Sequence, residues 1–432
     1  MSPQPEPPVD LEQSEPVGKQ KLSPTVVALG VVSLFTDMSS EMVYTQVPLF
    51  LTSVLGAPAA AVGIIEGIAE STASLLRLVS GHLSDRSGRR KPLTLLGYTF
   101  GAVSKPLTAF AHVWPIVLLL RFVDRFGKGL RTAPRDALIA ESTPKAIRGR
   151  AFGLHRTMDT TGAVLGPLLG YWFLSHLRGG ANNPSTLDHN LRMLFLFAGL
   201  PGIAAVFTLL FVVREPAKQQ RVPEASLSSA GIQSTQTNPK AFSLPRWRSL
   251  QPDYRRFLLI TLLFNLGNFS DAFLVLRARS LHFSASEILL LYAAFNVVEA
   301  CLGYGAGILS DKIGRRPLII GGYLVFAAVY FGFARAETKA AIWALFLLYG
   351  FYYTLTQGVQ RAFAADMADP AQRATQIGAY HTVVGVALLP ASVFAGFLFD
   401  RNPALPFYLG AATGLASACL LTIQLRRPAA SL

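Results

Sequence analysis

The stretch Gly81-His-Leu-Ser-Asp85-Arg-Ser-Gly88-Arg89-Arg90-Lys91-Pro92 returns 226 residues further on (307 − 81) as Gly307-Ile-Leu-Ser-Asp311-Lys-Ile-Gly314-Arg315-Arg316-Pro317. The chain is therefore built from a duplicated unit. Each copy is a short run of glycine and charge between two apolar segments, the pattern of a tight basic loop joining two membrane-spanning helices. The flanks are too long and too apolar for a soluble domain.

The pattern G-x-L-x-D-R/K-x-G-R-R resembles the loop signature between helices 2 and 3, echoed between helices 8 and 9, of the major facilitator superfamily of secondary transporters. The resemblance covers nearly the whole chain apart from the N-terminal tail and a central linker. It implies an all-α membrane protein of twelve transmembrane helices, arranged as two six-helix halves with pseudo-two-fold symmetry. It also implies that helices 1, 4, 7 and 10 line a central cavity, and that Asp85, Arg89 and Asp136 form a charge cluster securing the outward-facing state.

Composition agrees with a bilayer environment. The chain has 432 residues, 51% of them hydrophobic and 15% charged, and its mean hydropathy is positive, so water is not the solvent for most side chains. The net charge of +14 does not indicate nucleic acid, because the basic residues are scattered through short loops rather than gathered in one patch. Cys301 and Cys419 both lie in apolar spans, which argues against a disulfide framework or a thiolate metal site. No cofactor and no resident metal are expected.

Windows long enough to cross the hydrocarbon core number twelve: 25–52, 59–81, 93–113, 114–140, 150–178 and 191–213, then 255–279, 286–309, 317–336, 340–367, 374–400 and 405–425. They divide the chain into a polar tail (1–24), a first bundle (25–213), a Ser-, Gln- and Pro-rich linker (214–254), a second bundle (255–425) and a short tail (426–432). The linker has room for a short surface helix near Pro245 to Leu250. Even helix counts put both termini and the linker on one face. If that face is cytoplasmic, about 23 of the 39 Lys and Arg lie inside, about 7 outside and about 9 within spans, as the positive-inside rule requires. A multi-pass protein of the inner membrane, acting as a monomer, is the expectation.

A charge in the hydrocarbon core costs about 2.5 to 3.5 kcal/mol on insertion scales, so it must face protein or a water-filled cavity. Span 1 carries Asp37 and Glu41, and span 2 carries Glu66, Glu70 and Arg77. Span 4 carries Arg121, Asp124, Arg125, Lys128, Arg131, Arg135 and Asp136, all within an arc of roughly 140°. Span 5 adds Arg156 and Asp159. The second half is richer in amides: Asn265, Asn268 and Asp271 on span 7, Asn296 and Glu299 on span 8, Gln357, Gln360 and Arg361 on span 10, and His381 on span 11. Spans 3, 6, 9 and 12 are nearly free of charge, which suits helices that face lipid.

Ion pairing between helices is one use for these groups, for instance Glu70 with Arg121 or Asp159 with Arg125. The number of ionisable groups exceeds what packing requires and points to a path for protons or a charged solute. Asp37 and Glu41 are one helical turn apart near mid-membrane, where two carboxylates cannot both ionise cheaply, so one of them is expected to carry a proton. With Glu66, Glu70, Arg121 and Asp159 they are the proton-coupling candidates. Arg125, Lys128, Arg156 and the second-half polar residues are the substrate-binding candidates.

Two further stretches resemble family motifs. Leu120-Arg121-Phe-Val-Asp124-Arg125-Phe-Gly127-Lys128-Gly129 is similar to the helix-4 pattern R-F-x-Q-G-x-G-x-G, whose arginine the resemblance ties to proton transfer. Asp124, Arg125 and Lys128 depart from that pattern and make the site more basic than is usual. Gly153, Gly162, Gly166, Pro167 and Gly170 match the helix-5 motif G-x8-G-x3-G-P-x2-G of proton-coupled exporters. Glycines at i, i+4 and i+8 open a groove where the two halves are expected to pack and rock. The corresponding segment Gly378 to Gly396 lacks the Gly-Pro pair, although Pro390 supplies a kink.

The expectation is a proton-coupled antiporter exporting a small organic solute, anionic or metal-chelating in view of the basic stripe on span 4. A proton-coupled uptake symporter of the same fold is the first alternative. A metal-ion exporter using Asp37/Glu41 and His155/Asp159 is the second, disfavoured by the basic residues alongside. A non-transporting receptor is disfavoured by intact motifs in both halves. An enzyme is not expected: the chain has no G-x4-G-K-[ST], H-E-x-x-H or G-x-S-x-G sequence.

Overall fold

A computed structural model describes residues 22–87, 89–177, 184–215, 250–369 and 372–424. Among them regular structure is entirely helical. Span 1 is Pro24–Tyr44, continued by Gln46–Leu49 and a π-helical turn Phe50–Val54; spans 2 to 6 are Ala59–Ser87, Lys91–Thr108, Trp114–Glu141, Arg148–His176 and Pro184–Phe211. Span 7 is split into Pro252–Gly267 and Ala272–Ser280, and spans 8 to 12 are Ala285–Ile313, Arg315–Arg335, Lys339–Met367, Arg373–Arg401 and Leu405–Gln424. Eight of the twelve are apolar enough along their length to cross a membrane by composition. Span 4 is not among them, because its charged residues interrupt the apolar run. The expected N-terminal tail, the linker with its surface helix, and the C-terminal tail lie largely outside the described residues.

Local chemistry explains where helices start and break. Ser284 and Glu287 form a capping box at the start of span 8, and the Thr338 side chain accepts from the Ala341 amide at the start of span 10. Span 7, expected as one helix, breaks at Gly267-Asn268-Phe269-Ser270-Asp271. Asn, Ser and Asp compete for backbone hydrogen bonds, and here the Ser270 amide donates to Ser392 Oγ and the Ala272 amide to Ser270 Oγ. An unwound segment at mid-membrane is tolerated only where protein or a water-filled cavity receives its free backbone groups.

Within the first half, span 1 packs on spans 5 and 6, span 4 on spans 2 and 3, and span 3 on span 6. Within the second, span 7 packs on spans 11 and 12, span 9 on 10 and 12, and span 8 on 10. The halves meet along span 2 with span 11 and along span 5 with span 8. The sequence repeat maps span 2 onto 8 and span 5 onto 11, so these two contacts exchange with each other, which is the pseudo-two-fold relation.

The seam is closed on one side only. A Cβ on Gly63 would lie 2.1 Å from the Ser392 carbonyl oxygen, and one on Gly396 would lie 2.6 Å from that of Ala59. On the other flank the Asn296 side-chain amide donates to the Ala163 carbonyl at 2.6 Å. Towards the face where spans 1 and 7 begin, here called the terminal face, contact ceases: Gly149, Gly153, Gly303, Gly305 and Gly307 have no atom within 4 Å of where a Cβ would stand. The space between the halves therefore opens to the terminal face.

This corrects the expected role of the span 5 glycines. Gly162 and Gly166 press against span 1 of the same half, 2.4 Å from the Leu34 carbonyl and 2.6 Å from that of Met38 by the same measure. Only Gly170 reaches across, to Leu289 of span 8, and Gly153 touches nothing. The glycine-rich seam between the halves is span 2 against span 11.

The repeated loops dock onto the ends of neighbouring helices. Arg90 pairs with Glu141 at the end of span 4 at 2.7 Å, and Arg315 pairs with Asp366 at the end of span 10. Lys91 Nζ donates to the Leu210 carbonyl of span 6, and Arg316 to the Leu421 and Thr422 carbonyls of span 12. In both copies one basic residue meets an acid and the next satisfies orphan carbonyls at a helix C-terminus. Gly314 has φ +90°, which only glycine adopts readily, while Asp311 is exposed and Gly81 approaches Ala133. Gly88 and the Asp85 side chain lie outside the described residues. Asp136, expected to join them, is bonded to its neighbour Arg135 at 2.8 Å.

Candidate functional site: the central cavity

A cavity of about 360 Å³ lies between the halves, lined by spans 1, 2 and 4 on one side and spans 7, 8, 10 and 11 on the other. Of the residues singled out from the sequence, Asp37, Glu41, Glu70, Arg125, Lys128, Asn265, Asn268, Asp271, Gln357, Gln360, Arg361 and His381 line it. Spans 2 and 11 therefore contribute beside the expected 1, 4, 7 and 10. Glu66 and Arg121 lie behind the wall, whereas Arg156, Asp159, Asn296 and Glu299 belong to the contact between spans 5 and 8.

The first-half wall is a lattice of ion pairs. Arg121 donates twice to Glu66, at 3.0 and 2.8 Å, with both side chains buried. Arg125 Nε lies 2.9 Å from Glu70 Oε1, a close ion pair without a well-aligned hydrogen bond. Asp124 sits 3.5 Å from Arg121 and 3.6 Å from Lys105. The Tyr44 ring lies under both guanidinium groups, 5.7 and 5.6 Å from them. The pairings expected from spacing alone are thus corrected: Arg121 takes Glu66 rather than Glu70, and Arg125 takes Glu70 rather than Asp159.

The carboxylate that Asp37 meets is also different from the one expected. Asp37 and Glu41 both line the cavity, but the carboxylate standing beside Asp37 is Asp159 of span 5. Ser33 donates to Asp159 at 2.7 Å, and Asp159 lies 3.2 Å from Arg156, which reaches Glu299 of the second half at 3.0 Å. Glu41 Oε2 is buried with no hydrogen-bond partner among the described residues. Two carboxylates side by side in a low-dielectric wall cannot both ionise cheaply, which favours sharing one proton. Asp159, the oxygen member of the alternative metal pair with His155, is held here by Ser33 and Arg156. Among the described residues no group of three His, Cys, Asp or Glu comes together.

The second-half wall is aromatic and amide-bearing. Tyr349 and Tyr292 donate to Asp271 at 2.6 and 3.3 Å, holding it at the start of the second segment of span 7. Tyr352, Tyr353 and Tyr380 continue the wall, and Tyr380 donates to Gln360 at 3.1 Å. These tyrosines were missed from sequence. The cluster Tyr349-Gly-Phe-Tyr352-Tyr353 in mid-span was the available signal, since a phenol hydroxyl in hydrocarbon needs a partner.

Helices in two symmetry-related halves, around a charged cavity open to one face, define a secondary membrane transporter and not an enzyme. The family model of the Major Facilitator Superfamily matches residues 29–389 and 257–431, and the chain belongs to that superfamily. It is similar to an uncharacterised MFS-type transporter of Methanocaldococcus jannaschii, 33% identical over 408 residues that span 93% of this chain and 95% of the relative. It is 24% identical to the multidrug resistance protein MdtH of Photorhabdus laumondii, over 89% of this chain and 90% of that one. Among solved structures, a variant of the nucleoside transporter NupG aligns with a TM-score of 0.74 at 12% identity, covering 93% of this chain and all (100%) of that one. A bacterial homologue of the human lysosomal transporter Spinster, inward-facing and unoccupied, aligns at 0.70 with 18% identity, covering 95% and 96%.

Proposed function

We propose that this transporter is a proton-coupled antiporter of the inner membrane that exports a small organic solute by alternating access. The terminal face is cytoplasmic in this reading, as the positive-inside distribution favours, so the cavity is open inward. The observation that carries the coupling is the chain Asp37–Asp159–Arg156–Glu299. A proton held between the two aspartates leaves one negative charge for Arg156. When the proton leaves, two adjacent carboxylates compete for Arg156 and weaken its hold on Glu299 across the seam, so proton release and separation of the halves are linked. Export is supported by the helix-5 motif and by relatives named as multidrug resistance proteins.

The test is overproduction in a susceptible host exposed to an array of toxic compounds. Wild type is expected to raise resistance to at least one class, and Asp37→Asn and Asp159→Asn to abolish the gain. Hypersensitivity in place of resistance would favour the uptake symporter. Full resistance in both variants would remove this pair from coupling.

A further inference from the structure

Arg77 of span 2, Arg361 of span 10 and His381 of span 11 line the same flank of the cavity near its open mouth. Ser74, one turn before Arg77, donates to the His381 carbonyl at 3.2 Å, so the two halves cross at this point. Among the described residues Arg361 is bonded only to the neutral Gln357, at 3.2 Å, and the buried Arg77 Nε has no hydrogen-bond partner.

The neighbouring acids are already taken. Arg77 feels Glu70 and Asp136, but Glu70 lies on Arg125 and Asp136 on Arg135, itself a further positive charge beside Arg77. Glu299 faces Arg361 but is bonded to Arg156. Arg77 and Arg361 also act on each other and on the His381 imidazole. Two guanidinium groups drawn from both halves, beside an imidazole that can donate a hydrogen bond and with no spare counter-charge among the described residues, present matched donors to an anion.

We infer that Arg77, Arg361 and His381 form a subsite for the anionic group of the transported solute, a phosphate, sulfonate or carboxylate, with an aromatic portion lying against Tyr380. The Tyr380 ring stands 5.3 Å from that of His381 and its hydroxyl donates to Gln360, the residue before Arg361, so the ring lies beside this group. An anion bound here touches both halves and draws span 2 towards spans 10 and 11, which favours closure of the mouth. The inference rests on the cavity being the solute path, and it does not depend on the direction of flux or on protons.

The test is equilibrium binding without any gradient, using the full chain in phosphatidylcholine nanodiscs and three probes: 2-naphthyl phosphate, 2-naphthoate and neutral 2-naphthol. At least one anion is expected to bind saturably and more tightly than naphthol. Arg77→Gln and Arg361→Gln should each weaken it by about tenfold or more, Arg77→Lys should lose less, and Arg256→Gln at the exposed start of span 7 should change nothing. Repeating the assay in phosphatidylglycerol nanodiscs separates two sources of the same chemistry. Arginine-dependent binding that persists identifies a free solute, and binding displaced by the anionic lipid identifies a lipid headgroup in the same subsite. Equal binding of naphthol, unchanged affinity in both glutamine variants, or no saturable anion binding to wild type overturns the subsite. Because no flux is measured, such a result leaves proton-coupled export to be judged by the resistance assay.

Discussion

At Arg121 and Glu66 two opposite charges are buried together with bidentate geometry. Such a pair adds little net stability over an apolar one, but removing one member strands the other in a low-dielectric wall, at about 3–5 kcal/mol. Glu66→Ala should therefore lower the melting temperature in detergent sharply, and adding Arg121→Leu should recover much of the loss. A double variant no more stable than the single would show the pair to be worth its own geometry. Asp37 makes a different prediction. Asparagine can still hydrogen-bond Asp159 but carries no exchangeable acid proton, so Asp37→Asn should abolish uptake against a gradient into inverted proteoliposomes while leaving solute counterflow within about twofold. Loss of counterflow as well would make Asp37 a binding residue.

Among the elements, spans 1 and 5 behave as one packed unit. A valine at Gly166 would press on the Met38 backbone and stand 3.0 Å from Glu41 Cβ, whereas one at Gly153 meets nothing. Gly166→Val should cut the yield of monodisperse protein severalfold, and Gly153→Val should leave it unchanged; size-exclusion profiles of the two decide it. The turn into span 9 is a second case. Gly314 has φ +90° and ψ 151°, a region essentially restricted to glycine, so Gly314→Ala should cost about 1–3 kcal/mol, seen as a lower thermal midpoint.

For the whole molecule the telling contact is Asp400, at the end of span 11 on the face away from the termini. Its two carboxylate oxygens accept from the Ala59 and Ala60 amides, at 2.7 and 2.9 Å, and so cap the first turn of span 2 in the other half. A carboxylate at a helix N-terminus contributes about 0.5–2 kcal/mol, and this one does so only while that side of the seam is closed. Asp400→Ala should shift the balance between the two facing states by up to about thirtyfold towards opening on that side. Spin-label distances across that face in the unloaded protein measure it, and an unmoved distribution would show that packing of Gly63 and Gly396 alone holds the seam.

Much of this architecture is legible in the chain itself. The repeated loop declares a duplication, apolar windows of membrane length place the helices, and charges inside those windows mark which spans face the cavity, because lipid tolerates no unpaired charge. Partner choice is another matter. Glu66 and Glu70 share a face about one turn apart, roughly 6 Å along the axis, and whether Arg121 meets the first or the second depends on how spans 2 and 4 slide past each other. Helical periodicity sets the angle of a side chain about its own axis and not the axial offset between two helices. For the same reason only the tertiary structure could join Asp37 to Asp159 instead of Glu41, turn the span 5 glycines towards span 1, and bring Arg77, Arg361 and His381 together from three spans in two halves.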